Sequence, residues 1–252
     1  MIDYGDLHAI LMSEETRPPE PDAPREITAI ARGAGIVMLG TVAGSGLKYL
    51  FEFFAARRLG PELFGVFFLG LTIFRILEKL STLELTTGML RFVSLHKGGG
   101  DSGRVKGTIV SGLKLALTAA GAAAALLLLF SGPLSRSVFH AAALPLALRI
   151  MAIGLVFAAA TEILVFSLQA LGRVEYRVLV RLAFEPALAL GLVLAFLKPG
   201  GGLGVAALSF VGPLILGSLL AFQLVRRTFP PLTEPRPAAV SEAATLLRFS
   251  LP

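Results

Sequence analysis

Polar and apolar positions do not alternate along this chain. Charged residues are swept to the edges of long apolar blocks, two of which settle the class of protein. Leu115 to Ser135 and Pro199 to Val225 contain no Asp, Glu, Lys or Arg. Each exceeds the roughly 18–20 residues that a helix rising about 1.5 Å per residue needs to cross about 30 Å of hydrocarbon. A spanning helix satisfies all its own backbone hydrogen bonds, as lipid requires. Turn chemistry separates the blocks. Gly60-Pro61 ends one helix and pre-sets the first turn of the next, where Glu62 suits the positive end of the helix dipole. Gly98-Gly99-Gly100-Asp101-Ser102-Gly103, Pro133, Gly172 and Pro199-Gly200-Gly201-Gly202 mark the other breaks. This pattern places helices at about 27–56, 62–95, 105–131, 144–171, 176–197 and 203–227. The expected fold class is all-α, a polytopic membrane bundle of about six transmembrane helices.

Both flanks of this 27–227 lobe are polar. Residues 1–26 carry seven acidic side chains, among them Glu14, Glu15 and Glu20, with Pro18, Pro19, Pro21 and Pro24 between them. That is a disordered cytoplasmic arm, because a signal peptide starts basic and continues apolar. Residues 228–252 form a Pro-rich cytoplasmic connector, and Leu246 to Pro252 begin a further apolar stretch that reads as the start of a seventh helix.

Composition agrees with this reading. The 252 residues are 55% hydrophobic and 16% charged, whereas soluble domains average about a quarter charged. With no cysteine, disulfides, thiol catalysis and cysteine-bound metals are excluded. The net charge of +6 is read as loop charge, not as a nucleic-acid footprint. Six spans put both termini on one side. That side holds Arg17, Arg25, Arg32, Lys97, Arg104, Lys106, Arg173, Arg177, Arg226, Arg227 and Arg236, while the other holds Arg57, Arg58, Arg136, Arg149 and Lys198. Eleven against five is a positive-inside bias that puts both termini in the cytoplasm, in a multi-pass protein of the cytoplasmic membrane.

Ionisable residues inside spans each cost about 2.5–3.5 kcal/mol at mid-bilayer on insertion scales, so each needs a reason to be there. Lys48 and Glu52 sit i,i+4 on the first helix, where they can neutralise each other. The second helix carries Arg75, Glu78 and Lys79, with Glu84 and Arg91 further along. Arg75 and Glu78 share a face with Thr82, and Lys79 lies about 100° around. Glu162 lies on the fourth helix, two turns before Gln169. On the fifth, Arg181 and Glu185 are again i,i+4, just before Pro186. For Lys48, Glu52, Arg91 and Arg181 the plain reading is ion pairs and snorkelling side chains that hold the bundle together. For Arg75, Glu78, Lys79 and Glu162 a water-accessible interior cavity is the better reading, because three charges within five residues cannot all be buried dry. Lys48, Glu52, Arg75, Glu78, Lys79, Arg91 and Glu162 are therefore the candidate substrate-binding residues. Gly40-x-x-x-Gly44 allows close helix contact.

No lysine follows a glycine, so no phosphate-binding loop is present. His8, His96 and His140 are scattered, against a metal site, and no nucleophile elbow or paired-carboxylate loop is visible. No cofactor, metal site or catalytic residue is expected, and the chain does not read as an enzyme.

Four stretches resemble a known family. Ala56-Arg57-Arg58-Leu59-Gly60-Pro61-Glu62-Leu63-Phe64-Gly65-Val66-Phe67 is similar to the first loop of polysaccharide-biosynthesis flippases in the MOP (multidrug, oligosaccharidyl-lipid, polysaccharide) exporter superfamily. Leu83 to Val93 resembles the end of that family's second helix, Gln169 to Arg173 the close of its fourth, and Leu247 to Pro252 the entry to its seventh. Glu84 departs from the pattern, standing where the family has a small glycine. The resemblance covers about residues 28–252 and implies one lobe of a MOP-type transporter. Such a transporter flips a lipid-linked glycan by alternating access between two lobes. A second lobe must then come from a C-terminal half, a partner chain or a homodimer. A cationic interior of Arg75, Lys79, Lys48 and Arg91 would attract the pyrophosphate of the carrier. A cation-coupled drug antiporter using Glu78 or Glu162, and a non-transporting scaffold or truncated product, are the competing readings.

The charge asymmetry makes a direct prediction. Reporter fusions at Arg104 and Arg173 should read cytoplasmic, and fusions at Glu62 and Pro199 external. Reversal at two or more of these sites would overturn the six-span topology.

Overall fold

The computed structural model describes residues 23–82, 85–138, 141 and 143–232, and apart from short turns between elements those residues are helical, with no strand among them. Most of the 1–26 arm, Glu84, His140 and the connector beyond Leu232 lie outside the described residues. The chain divides into two compact units, Met1–Ile36 and Val37–Pro252, and the packing below is that of the second.

The elements are α1 (Ala23–Leu59), α2 (Pro61–Thr82), α3 (Leu85–Gly98), α4 (Ser102–Pro133), α5 (Leu144–Ala170), α6 (Val174–Phe196) and α7 (Leu203–Thr228). The helix expected at 62–95 is thus described as two helices, α2 and α3. Among the described residues, α4 with its extension to Arg136, α5, α6 and α7 are long and apolar enough to cross a membrane. The first two spans expected from sequence do not reach that mark. Glycines with Thr41 and Ser45 dilute α1, and Arg75, Glu78 and Lys79 interrupt α2.

α5 is the centre of the all-α membrane bundle. Its residues are apolar nearly all round, and a helix with no polar face must be surrounded. Leu148, Met151, Leu155, Ile163 and Leu168 are fully buried on it. Small residues bring its neighbours close. A Cβ on Gly154 would lie 2.9 Å from a methyl of Val211 on α7, and one on Gly70 of α2 would lie 3.2 Å from the Met151 sulfur. The apolar side chains fall into two clusters. The larger gathers Phe51, Phe67, Phe74, Met89, Leu148, Val193 and Leu214, and the smaller gathers Leu164, Val165, Leu168, Val180, Ala221 and Val225.

The ends of the bundle are stitched by side chains that cap foreign helices. At one end Arg58 Nη1 donates to the carbonyls of Val193 and Leu194 at 2.6 and 2.8 Å and to that of Leu197, and the Arg58 carbonyl accepts from Gly200 N–H at 2.8 Å. The last carbonyls of any helix lack internal partners, and a cation there also complements the dipole. Arg58 thereby fastens the α1–α2 corner to the α6–α7 corner. At the opposite end Lys97 donates to the Leu171 carbonyl at 2.8 Å, and the Ser94 hydroxyl to that of Ala170 at 3.3 Å. This joins the α3–α4 loop to the α5–α6 turn, where Gly172 takes φ 84°. The two sets of loops meet at opposite ends, as an alternating bundle requires.

α6 is not a plain α-helix. Val174–Arg177 is α-helical, Val178–Phe184 is wound as a π-helix, and Glu185–Phe196 is α-helical again. Pro186 has no N–H for the carbonyl of Leu182 four residues earlier, and its ring clashes with that carbonyl in α geometry. Widening the preceding turn relieves the clash. The widened turn lies against the glycines of α1. A Cβ on Gly44 would sit 2.5 Å from the Leu182 carbonyl oxygen, and one on Gly40 would sit 2.3 Å from a Val178 methyl.

These contacts predict opposite effects for two glycines on one helix. Gly44→Ala must push backbone aside and should destabilise the protein by about 1–3 kcal/mol, the usual cost of overpacking. Gly46, with nothing within 4 Å of its Cβ position, should accept alanine with a gain of roughly 0.5–1 kcal/mol. Thermal unfolding in one detergent, followed by size-exclusion of the surviving protein, checks both signs.

Candidate functional site

Between the two apolar clusters lies a layer of charge. Its centre is Arg181, carried by the π-helical turn of α6. Its guanidinium binds Glu162 of α5 at 2.9 Å, Glu185 one turn along α6 at 3.0 Å, and Glu78 of α2 at short range. A guanidinium presents five N–H donors in a rigid plane and can serve several carboxylates at once. Three carboxylates on one cation leave an excess of negative charge, and all four side chains are at least four-fifths buried. One carboxylate oxygen, Oε1 of Glu185, accepts no hydrogen bond and packs against α7 at Gly217. Any Cβ on Gly217 would stand 2.4 Å from it, so glycine is what lets Glu185 fit between the helices.

The layer borders a cavity of about 320 Å³. Its polar wall is Lys48, Glu52, Arg75, Glu78, Arg181 and Glu185, and its apolar wall includes Phe51, Leu71, Phe74, Phe210 and Leu214. Phe74 and Phe210 meet edge to face with centroids 5.1 Å apart, and Phe51 lies 6.4 Å from Phe210. At the rim Arg75 reaches across to Glu52 at 2.7 Å, with its own side chain half exposed. Lys48 lines the same cavity and forms no ion pair or hydrogen bond among the described residues.

Of the sequence-derived candidates, Lys48, Glu52, Arg75 and Glu78 line the cavity, and Glu162 supports it from behind through Arg181. Lys79 is exposed on α2 and Arg91 on α3, and neither reaches the cavity. The pairing also differs from the local pattern. Glu52 binds Arg75 in place of Lys48, and Gln169 accepts from Arg177 at 3.0 Å while Glu162 goes to Arg181. The lining therefore holds three cations and three carboxylates, so the expected cationic interior is a charge-balanced one. Arg181 and Glu185 belong to the site, although their i,i+4 spacing made them look self-sufficient. The sequence signal for them was Pro186, which marks a break in the helix that carries both. Among the described residues no group of three His, Cys, Asp or Glu side chains is placed to hold a metal ion.

The fold and site define an all-α integral membrane bundle with an ionic layer beside an internal cavity. The family model described as polysaccharide biosynthesis protein matches residues 30–252. The chain belongs to that family, whose membership fits a membrane role of transporter type. No curated protein and no solved structure gives a significant match.

The charge count ranks substitutions in the layer. Arg181→Gln strands three carboxylates and should cost about 3–5 kcal/mol, the range for a broken buried pair. Glu162→Gln leaves Arg181 two carboxylates and should cost clearly less. Melting both variants in lipid nanodiscs tests the order, and equal losses would show that Arg181 is not the hub.

Proposed function

We propose that this chain is one lobe of a flippase that carries a lipid-linked oligosaccharide or polysaccharide precursor across the cytoplasmic membrane by alternating access. Family membership supports the class, and the cavity supports the role. The single observation that carries the reading is Lys48. Among the described residues it makes no ion pair or hydrogen bond, in a cavity whose other cations, Arg75 and Arg181, are engaged and which Phe51, Phe74 and Phe210 also line. An ammonium not held in a direct ion pair suits the phosphate of a lipid carrier, and aromatic faces suit the apolar faces of sugar rings. In this reading Arg75 and Arg181 shape the cavity, and Lys79 and Arg91 lie outside it. The lobe works against a second one, supplied by further sequence, a partner chain or a second copy, because rocking motions need two bodies around a shared site. Membrane lipid is its surrounding partner, nucleic acid has no part in it, and it is a transporter, not an enzyme.

A second reading is favoured by one observation. Adding Glu162 to the lining gives four carboxylates against three cations, and Glu185 Oε1 has no donor. A cation-coupled antiporter of the same superfamily would use such an excess. A non-transporting scaffold is the alternative with no observation in its favour.

The test is transport of a fluorescent lipid-linked sugar in vesicles by the protein carrying this chain. Lys48→Ala should slow flipping at least tenfold, since losing a contact to a charged group costs about 1.5–3 kcal/mol. Lys79→Ala should change it less than twofold. Equal effects of the two would remove Lys48 from the substrate path. Transport of small cationic drugs, without sugar flipping, would favour the antiporter.

A further inference from the structure

The two halves of α6 are built into different parts of the bundle. Val193, Ala189 and Leu197, at its far end, belong to the larger apolar cluster. Val180 belongs to the smaller one, with Leu164 and Leu168 of α5 and Ala221 and Val225 of α7. The boundary between the clusters falls where Arg181 meets its carboxylates and where the helix changes from π to α ahead of Pro186. The anchoring is unequal. The far half is fixed at its last turn by the three carbonyl bonds to Arg58. The near half faces α1 at Gly40 and Gly44, a strip without side chains for another helix to catch on. Across helices, its polar attachments include Arg177 to Gln169 and Arg181 to Glu78 and Glu162.

The geometry points to α6 as a two-part element: Val174–Phe184 is an arm that pivots at the π-helical turn before Pro186, slides over Gly40 and Gly44, and is latched by Arg181. Glu185–Phe196 stays with the body of the lobe. A π-turn has a specific capacity for this. It holds one residue more than an α-turn, and passing that residue along the helix re-aims by about 100° the side chains it passes. Arg181 lies in the turn and Glu185 just beyond it, so re-registering the turn carries the guanidinium away from Glu78 and Glu162 while Glu185 remains in the cavity wall. Arg181 is thus a positioning residue. It decides which conformation of α6 borders the cavity without itself needing to touch substrate. The inference concerns movement of the lobe and stands whichever cargo the cavity takes.

Because the chain has no cysteine, introduced cysteines are unique sites for spin labels. Leu126 on α4 is exposed and serves as a common reference, paired in one sample with Leu179 on the near half of α6 and in another with Phe196 on the far half. Pulsed EPR on the protein in lipid reads both distances. In the Arg181→Gln background the 126–179 distance should broaden or shift by about 3–5 Å, less than one helical turn, while 126–196 stays put. Pro186→Ala, which restores the missing N–H, should narrow 126–179 to a single population. If Arg181→Gln does not fold, Glu78→Gln and Glu162→Gln each remove one attachment of the latch and should show the same one-sided broadening. Equal movement of both pairs would mean that α6 is a single rod, and no movement of either would mean that Arg181 latches nothing. Either result overturns the proposal.

Discussion

The bundle is organised by a guanidinium that three carboxylates compete for inside a membrane protein. An arginine alone at that depth would drag water and headgroups toward it, and a lone glutamate would do the same. Once Arg181 stands between α2, α5 and the next turn of its own helix, Glu78, Glu162 and Glu185 become tolerable and the three elements are fixed in register. Breaking such a set costs more than making it yields, because a stranded buried charge loses its water without gaining a partner. The ionic layer therefore defines geometry more than it adds stability. It holds open a polar space in a bundle that would otherwise close into alanine and leucine.

Several unusual residues follow from that layer. Gly217 is small because Glu185 has to pass α7, and Gly44 because the Leu182 carbonyl has to pass α1. Pro186 widens the turn that carries Arg181, which lets its side chain reach two foreign helices as well as its own. Sequence features that look independent (a GxxxG strip, a proline inside a helix, an isolated glutamate on α5) are parts of one arrangement. Interhelical polar contacts in membranes are individually modest, with packing of small residues supplying much of the association. Here the two occur at the same crossings.

Much of the fold was legible in the chain because its signals are local. Uncharged blocks longer than a bilayer identify α4 and α7, and Gly60-Pro61 and Gly172 mark corners that the structure makes with positive φ at both glycines. The site was legible only as a list of charges. Lys48, Glu52, Arg75, Glu78 and Glu162 do converge, but their partners are set by tertiary packing. Arg181 and Glu78 are 103 residues apart, and Glu52 and Arg75 are 23. Helical spacing suggested Lys48–Glu52 and Arg181–Glu185, and only the second pair forms. A helical wheel also fails at α6, because a π-turn rotates everything beyond it relative to the wheel. Lys79 and Arg91 were grouped with the site by sequence proximity, yet 100° of rotation and a separate helix keep them out of the cavity.

Arg58 shows how a structural role changes the meaning of a charge count. The sequence reading counts it among five basic residues on the face opposite the termini. Its guanidinium is spent on the terminal carbonyls of α6, which carry the negative end of that helix dipole. A cation engaged in this way acts in the folded bundle as a helix cap. The same bond explains why an arginine sits beside Leu59-Gly60-Pro61 at all. The corner between the first two helices must hold the end of α6, and one nitrogen at the tip of a long cationic side chain reaches all three carbonyls there.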